Sequence, residues 1–371
     1  MRVVFLTPEF PRRSGDHRGA PLLILARALM RRGVSIRVVA ADNEGAGVGD
    51  LEGVPLRRVH APLPTGFLAA GRTALTWRAL ARGVRQELTH GADLIHAHSW
   101  APAGLATPAR LPLVLSIQSP DAAALRHSRT ARRLARRVVQ RARIVTTSSR
   151  EIASWIESGT GRHIGSQYIH PAPVETRGHP WTRGGGGALT ISKLDPGGRV
   201  GLALETLAVL ASCGHDIPLT IIGAGPDRNL LEQQARDLGV AALVRFAGDL
   251  TLEQAAQYLD RADLLLFTTK SEGVARAAIE ALVSGIPAVA CWDSGAAAEM
   301  IPGSGPGRLT LPEPQALADA VLDLHADPDR LAMARLIGES WRARLAPDKV
   351  AELCHAWYRE ALAGPPPPPG S

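Results

Sequence analysis

What most constrains this chain is an alternation, run twice, of short apolar β-branched stretches with longer segments of helical periodicity. In the first half the short runs fall at 3–6, 36–40, 94–97, 113–117, 144–147 and 168–169. A helical pattern over 21–32 closes on Gly33, a residue that accepts the left-handed backbone of a helix end. Between 171 and 187 periodicity stops: Pro171, Pro173, Gly178, Pro180 and the glycines 184–187 make a linker. Alternation then resumes with runs at 188–191, 219–222, 244–247, 264–268 and 288–290, separated by helical patterns over 202–211, 227–238, 252–260 and 275–283. Strand and helix in turn is the pattern of a parallel sheet covered on both faces. The expected fold class is α/β, with two Rossmann-like domains facing across a cleft, and ligands of such sheets bind beyond the carboxyl ends of the strands. The 371 residues exceed one ordinary core. The expected division is 1–175, a linker over 176–187, 188–345, a C-terminal helix over 346–364 and a proline-rich, structureless tail over 365–371.

Charge separates the halves. Up to position 177 there are 26 basic and 12 acidic residues, and after it 16 and 23, so the first half carries +14 and the second −7. That asymmetry points to an anionic partner for the first half. Nucleic acid is not expected, because no binding motif and no aromatic interleaving accompanies the arginines, and aromatic residues are only 4%. Cys213, Cys291 and Cys354 have no metal-type spacing and read as buried thiols of a reducing compartment. The first apolar run begins at residue 3, so no leader is expected, and no apolar run is long enough to span a bilayer. The expected location is the cytoplasm, with contact at the inner membrane face as the open alternative.

Chemistry concentrates in the second half. Glu272-Gly273-Val274-Ala275-Arg276 follows a buried run and opens a helical one, and a helix start offers free N–H groups and partial positive charge to a diphosphate. Glu280 lies two turns beyond Glu272. Spacing alone is equally compatible with a dipole-favoured acid followed by a solvated Glu. Lys193 and Arg199 flank a Gly-rich turn after the first strand of this half, where two cations can clamp phosphate oxygens or merely be solvated. Gly223-Ala224-Gly225 fails as a dinucleotide fingerprint, because Arg228 stands where a third glycine belongs. It serves as a tight turn that lets a ligand approach backbone.

These pieces, together with Phe246-Ala247-Gly248, Gly285-Ile286-Pro287 and the small-residue turn 294–296 leading to Glu299, closely resemble the second domain of the family-4 retaining glycosyltransferases of the GT-B fold. The resemblance runs from about 188 to 327. The first half is similar more loosely, through the loop with Gly15, Arg18 and Gly19, the 93–98 segment ending in His98, and the 116–121 segment. Where many members carry a histidine that contacts the donor sugar, this chain has Gln118. A carboxamide can donate and accept a hydrogen bond but cannot become cationic. Ala275 likewise replaces a usual glycine.

The resemblance implies a hexosyl transfer from a UDP- or GDP-linked sugar to a hydroxyl acceptor. Lys193 and Arg199 would neutralise the diphosphate, Glu272 would contact the sugar and Glu280 the ribose. Gly273, Val274, Ala275 and Arg276, with Gly223, Gly225, Phe246 and Gly248, would complete the donor site. It also implies that the C-terminal helix crosses back to the first domain, and that the nucleotide sugar is a co-substrate with no further cofactor. No catalytic metal is expected. Asp327-Pro328-Asp329 reads as a helix cap, and His96 and His98, although on one face of a strand, lack a third ligand. The eight arginines between 126 and 143 read as one amphipathic helix. Its outer face is either solvated, set against anionic lipid, or turned to a phosphorylated acceptor. The alternatives are a sugar-nucleotide epimerase or hydrolase of the same fold, or a non-catalytic sugar-nucleotide-binding protein.

Overall fold

The computed structural model describes residues 1–16, 19–61, 69–175, 185–250, 252–270, 276–301 and 307–364. The chain divides into two compact units, Met1–Glu175 joined by the segment from Leu345 onward, and Thr176–Arg344.

In the first unit the order is β1 (Arg2–Thr7), α1 (Ala20–Arg31), β2 (Ser35–Asp42), β3 (Gly47–Leu51), β4 (Val54–His60), α2 (Ala69–Glu87), β5 (Leu94–Ala97), β6 (Leu113–Ile117), α3 (Ser119–His127), α4 (Arg129–Arg141), β7 (Ile144–Thr147) and α5 (Arg150–Thr160). Its sheet runs β3-β4-β2-β1-β5-β6-β7, parallel except for the β3–β4 pair. Without the β3 edge this is a doubly wound order, in which the chain reverses direction across the sheet between β1 and β5. The second unit holds β8 (Ala188–Ile191), α6 (Val200–Ser212), β9 (Leu219–Ile222), α7 (Arg228–Asp237), β10 (Val244–Gly248), α8 (Leu252–Leu259), β11 (Leu264–Phe267), α9 (Arg276–Ser284), β12 (Ala288–Cys291), α10 (Ala296–Met300), β13 (Gly307–Thr310), α11 (Pro314–His325) and α12 (Pro328–Leu345). Its parallel sheet runs β10-β9-β8-β11-β12-β13, with the switch between β8 and β11.

The last helix, α13 (Pro347–Ala363), belongs to the first unit. Val350, Ala351, Cys354, Trp357, Tyr358 and Ala361 recur at helical spacing and are buried in one core with Leu25 and Leu29 of α1 and Phe5, Ile36, Leu94 and Val114 of the sheet. The opposite face of that sheet is covered by α2 to α5 through residues such as Leu80, Leu125, Val138 and Ile156. Gly19 starts α1 in the left-handed region at φ 66°, and a Cβ there would stand 2.9 Å from Phe10 Cα, so this entry turn requires glycine. No described helix is long and apolar enough to cross a membrane.

Several elements differ from the sequence reading. The β3–β4 hairpin was not expected. It turns on Glu52 and Gly53, both at positive φ, the geometry whose twist matches paired strands. β13 was also unexpected. The run at 168–169 is no strand: Ser166–Tyr168 is a single 3-10 turn, and only Ile169 bridges to Thr147 before Pro171 and Pro173 remove backbone donors. The arginine stretch is two helices rather than one. Ser128 leaves the helical region at φ −127° and ψ 117°, and its Oγ accepts from Ala131 N (3.1 Å) to cap α4. Cys213, at the end of α6, is exposed rather than buried, whereas Cys291 and Cys354 are buried.

Candidate functional site

At the carboxyl end of the second sheet, the loops leaving β8, β9, β11 and β12 form one hydrogen-bonded assembly. Ser192 Oγ and Thr269 Oγ1 share a 3.0 Å hydrogen bond, and Lys270 N donates to Gly197 O (2.9 Å). Beneath them Leu194 N donates to Ala224 O (3.1 Å) and Asp227 N to Leu194 O (3.0 Å). A Cβ on Gly223 would lie 1.8 Å from Ser192 O, and one on Gly225 would lie 2.1 Å from Leu194 O. The close backbone approach read from this turn is therefore made by the chain's own 192–194 segment, which holds the Lys193 loop in place.

Lys193 and Lys270 are exposed at this rim and have no ion-pair partner among the described residues. Arg199 is engaged differently from the free cation expected. Its guanidinium makes a bidentate pair with Asp293 (2.6 and 3.1 Å) and donates through Nε to Thr268 O (2.7 Å), with the paired side chains only 20% and 18% exposed. Beside this pair the Cys291 thiol is pushed up to about 11, chiefly by burial, and remains protonated at neutral pH. Phe246 and Gly248 adjoin the glycine turn: Gly223 N donates to Gly248 O (2.8 Å), and the Arg228 guanidinium stands 5.9 Å over the Phe246 ring. Glu280 is half-buried on α9. Glu272, Gly273, Val274 and Ala275 lie outside the described residues, as does the side chain of Arg276, the first residue of α9. Sequence reasoning missed Lys270 and Asp293. The signal available was their place, directly after the β11 run and directly before the small-residue turn.

In the first unit, Gln118 is exposed at the end of β6, where it precedes α3 in extended conformation. Gly15 is exposed at φ 80° with open space around its Cα, and Arg18 lies outside the described residues. His98 follows β5 and is 9% exposed. His96, two residues earlier, belongs to a closed buried chain. Its Nδ1 shares a 2.7 Å hydrogen bond with Tyr358 Oη, its Nε2 another with Ser116 Oγ, and Ser116 Oγ a third with Thr146 Oγ1, each also 2.7 Å. Both ring nitrogens are thus engaged, and burial followed by the neighbouring His98 holds the His96 pKa well below its usual value. Burial lowers His98 to about 3, so both rings are neutral at physiological pH.

Asp121, in the quoted 116–121 segment but without an expected role, accepts from Trp100 N (3.1 Å), while Trp100 Nε1 donates to the Asp121 carbonyl (2.8 Å). Burial raises its carboxyl to about 7. Hydrogen bonds from Ser99 and Trp100 oppose the shift and the charge of Glu9 adds to it. On α4, Arg129, Arg133, Arg136 and Arg137 are exposed. Arg132 is bonded to the last carbonyls of α3 at Leu125 (2.6 Å) and Arg126 (2.7 Å).

Residues 188–327 match the family described as glycosyl transferases group 1, and residues 22–165 match glycosyltransferase family 4. A GDP-mannose-dependent alpha-(1-6)-phosphatidylinositol monomannoside mannosyltransferase of Mycolicibacterium smegmatis is 28% identical over 60% of this chain and 65% of its own length. A 2-deoxystreptamine glucosyltransferase of Streptomyces kanamyceticus is 27% identical, over 43% of this chain and 42% of that protein. A D-inositol 3-phosphate glycosyltransferase of Corynebacterium urealyticum is 29% identical, over 42% and 38%. The matched segment is thus less than two thirds of each of these relatives. Among solved structures, sucrose-phosphate synthase from Thermosynechococcus elongatus superposes with a TM-score of 0.77 at 15% identity, covering 98% of this chain and 100% of that one. Anabaena HepE in complex with UDP superposes with 0.71 at 20% identity, covering 97% and 100%. With family matches in both halves and two sheets of doubly wound order, the chain belongs to family 4 of the glycosyltransferases and has the GT-B fold of two Rossmann-like units.

Proposed function

We propose that this protein transfers a hexosyl group from a UDP- or GDP-linked sugar to an acceptor hydroxyl, with retention at the anomeric carbon and without a metal ion. The observation that carries the reading is Lys193. It stands exposed, with no ion-pair partner among the described residues, on the loop leaving the first strand of the second sheet, at the switch point where ligands of such sheets bind. Cleaving the glycosyl–phosphate bond leaves negative charge on a diphosphate, and a preorganised cation lowers that barrier most directly. Lys193 fills this role, with Lys270 beside it. Arg199, its charge offset by Asp293, holds the loop that carries Lys193 and offers the diphosphate only the charge that this carboxylate leaves. Glu272 is assigned to the sugar, Glu280 to the ribose and Gln118 to the sugar being transferred.

The named substrates of the relatives supply an acceptor class. Inositol phosphate, an inositol lipid and 2-deoxystreptamine all carry a hydroxylated six-membered carbocycle. We extend that class to this chain. The exposed arginines of α4 and the +14 of the first 177 residues support an anionic acceptor or an anionic lipid surface that presents it.

A thermal-shift panel of UDP-, GDP-, ADP- and TDP-sugars on the wild type and Lys193→Ala tests the reading. A true donor at 100 times its Kd stabilises the folded protein by about 2.7 kcal/mol. The substitution should remove most of that stabilisation for diphosphates and none of it for a nucleoside. No stabilisation by any nucleotide sugar, or equal stabilisation of both proteins, rejects the proposal. Products formed from donor alone would instead identify an epimerase or hydrolase.

A further inference from the structure

The carboxyl ends of β5, β6 and β7 carry two rows of polar side chains. In the first row His96, Ser116 and Thr146 bond to one another and to Tyr358, so every polar atom has a partner. Strand alternation places the next row, His98, Gln118 and Ser148, two residues further along on the same face. This outer row is open. His98 Nε2 and Ser148 Oγ are buried, at 9% and 6% exposure of their residues, and find no hydrogen-bond partner among the described residues.

Both residues line the same hollow of about 50 Å³, which also reaches Gln118. Leu25 of α1 and Trp357 of α13 contribute apolar wall. Buried polar groups do not stay unpaired without a cost, so the hollow is built for an occupant that forms hydrogen bonds. Its size admits one or two groups as large as water, at roughly 30 Å³ each. Its chemistry is neutral: no Asp, Glu, Lys or Arg lines it among the described residues. Such a wall favours hydroxyls over phosphate or ammonium, which would lose hydration without gaining a counter-charge.

We infer that the His98–Ser148 hollow is an acceptor subsite that takes two adjacent uncharged hydroxyls from the edge of a cyclic polyol. The assignment rests on the transferase reading above. It adds a division of labour, in which this hollow reads the neutral edge of the acceptor while any charge on the acceptor is met elsewhere. Ordered water is the other occupant a space of this size and polarity can hold, and the experiment separates the two.

The probe is myo-inositol, and its binding to the full chain is followed by saturation-transfer NMR. The proteins compared are the wild type, His98→Phe, which keeps a ring in place, and Ser148→Ala. Calorimetry with UDP and GDP runs alongside. Each substitution should weaken myo-inositol binding roughly 2- to 13-fold, the effect of one lost neutral hydrogen bond, while nucleotide affinity stays at the wild-type value. Unchanged polyol affinity in both variants, or no binding by the wild type, overturns the subsite and leaves water as the occupant. Binding of only inositol phosphate or only 2-deoxystreptamine overturns its neutral character. Failure to bind either nucleotide refutes the transferase reading instead, whatever the polyol does.

Discussion

Replacing Gly225 by alanine tests whether the Lys193 loop holds the diphosphate. The new Cβ would stand 2.1 Å from Leu194 O and 2.5 Å from its carbonyl carbon, where uncrowded atoms sit roughly 3.5–4 Å apart. Both neighbours are backbone, so relief requires the segment carrying Lys193 to move by about 1 Å or more. Overpacking of this kind costs about 1–3 kcal/mol. The shift also strains the bonds from Leu194 N to Ala224 O and from Asp227 N to Leu194 O, each worth about 0.5–1.5 kcal/mol. Gly225→Ala should therefore lose about 2–6 kcal/mol of stability, felt in the second unit. Gly197→Ala is the control from the same loop. Its nearest atom is the side-chain Asp195 Oδ1 at 3.3 Å, and its φ is not in the left-handed region, so its cost should stay within about 0.5 kcal/mol. Denaturant unfolding reads the stability, and calorimetry with a nucleoside diphosphate reads the loop. Losing a charge-assisted bond from Lys193 weakens binding roughly 10- to 150-fold. A Gly225→Ala protein with wild-type unfolding refutes the packing argument. One that is destabilised but binds with unchanged Kd refutes the role of the loop.

Acidification should destabilise the first unit. The folded pKa of His98 lies at about 3 and that of His96 is shifted the same way, both from 6.5, so their stability contribution is complete above pH 6.5. It is lost as pH falls, by about 1.4 kcal/mol per unit for each ring. Asp121, raised from 3.8 to about 7, opposes one of them, because its folded carboxyl takes up a proton first and gains stability as pH falls from 7 toward 3.8. Asp121→Asn should therefore steepen the loss by about 1.4 kcal/mol per unit between about pH 6.5 and about pH 4, and equal slopes in denaturation series would reject this pairing. Replacing Arg129, Arg133, Arg136 and Arg137 with Gln should abolish co-sedimentation with anionic vesicles, with no binding to neutral ones. Wild-type binding should fade as the screening length drops from about 10 Å at 0.1 M salt to about 3 Å at 1 M. Sedimentation that ignores both substitution and salt rejects the electrostatic surface.

The strands around which both sheets are built were legible along the chain. β1, β5, β6, β8, β9, β11 and β12 are covered on both faces, and that burial demands the continuous apolar runs that marked them. Motif spacing in the second half likewise carried the family, because the turns after successive strands come at intervals set by the helices between them. The β3–β4 hairpin was not legible. Gly47, Gly49, Arg57 and Arg58 break any alternation, and β4 is a strand because β2 lies beside it. Ser128 offered equally a helical residue or a cap, and only the folded backbone shows that it ends one helix and starts the next. Gly223 and Gly225 read as a turn that lets a ligand approach, whereas what packs against both glycines is the chain's own 192–194 backbone. Arg199 read as a free cation until the fold brought Asp293 to it from 94 residues away. His96 and His98 read as equivalents on one strand face. Tyr358, 262 residues later in sequence, engages His96, while His98 lines the hollow. Burial period and turn chemistry are written locally, because each depends on a residue and its near neighbours. Which distant groups satisfy one another, and which polar atoms are left open for a ligand, depends on how the elements pack, and only the tertiary structure decides it.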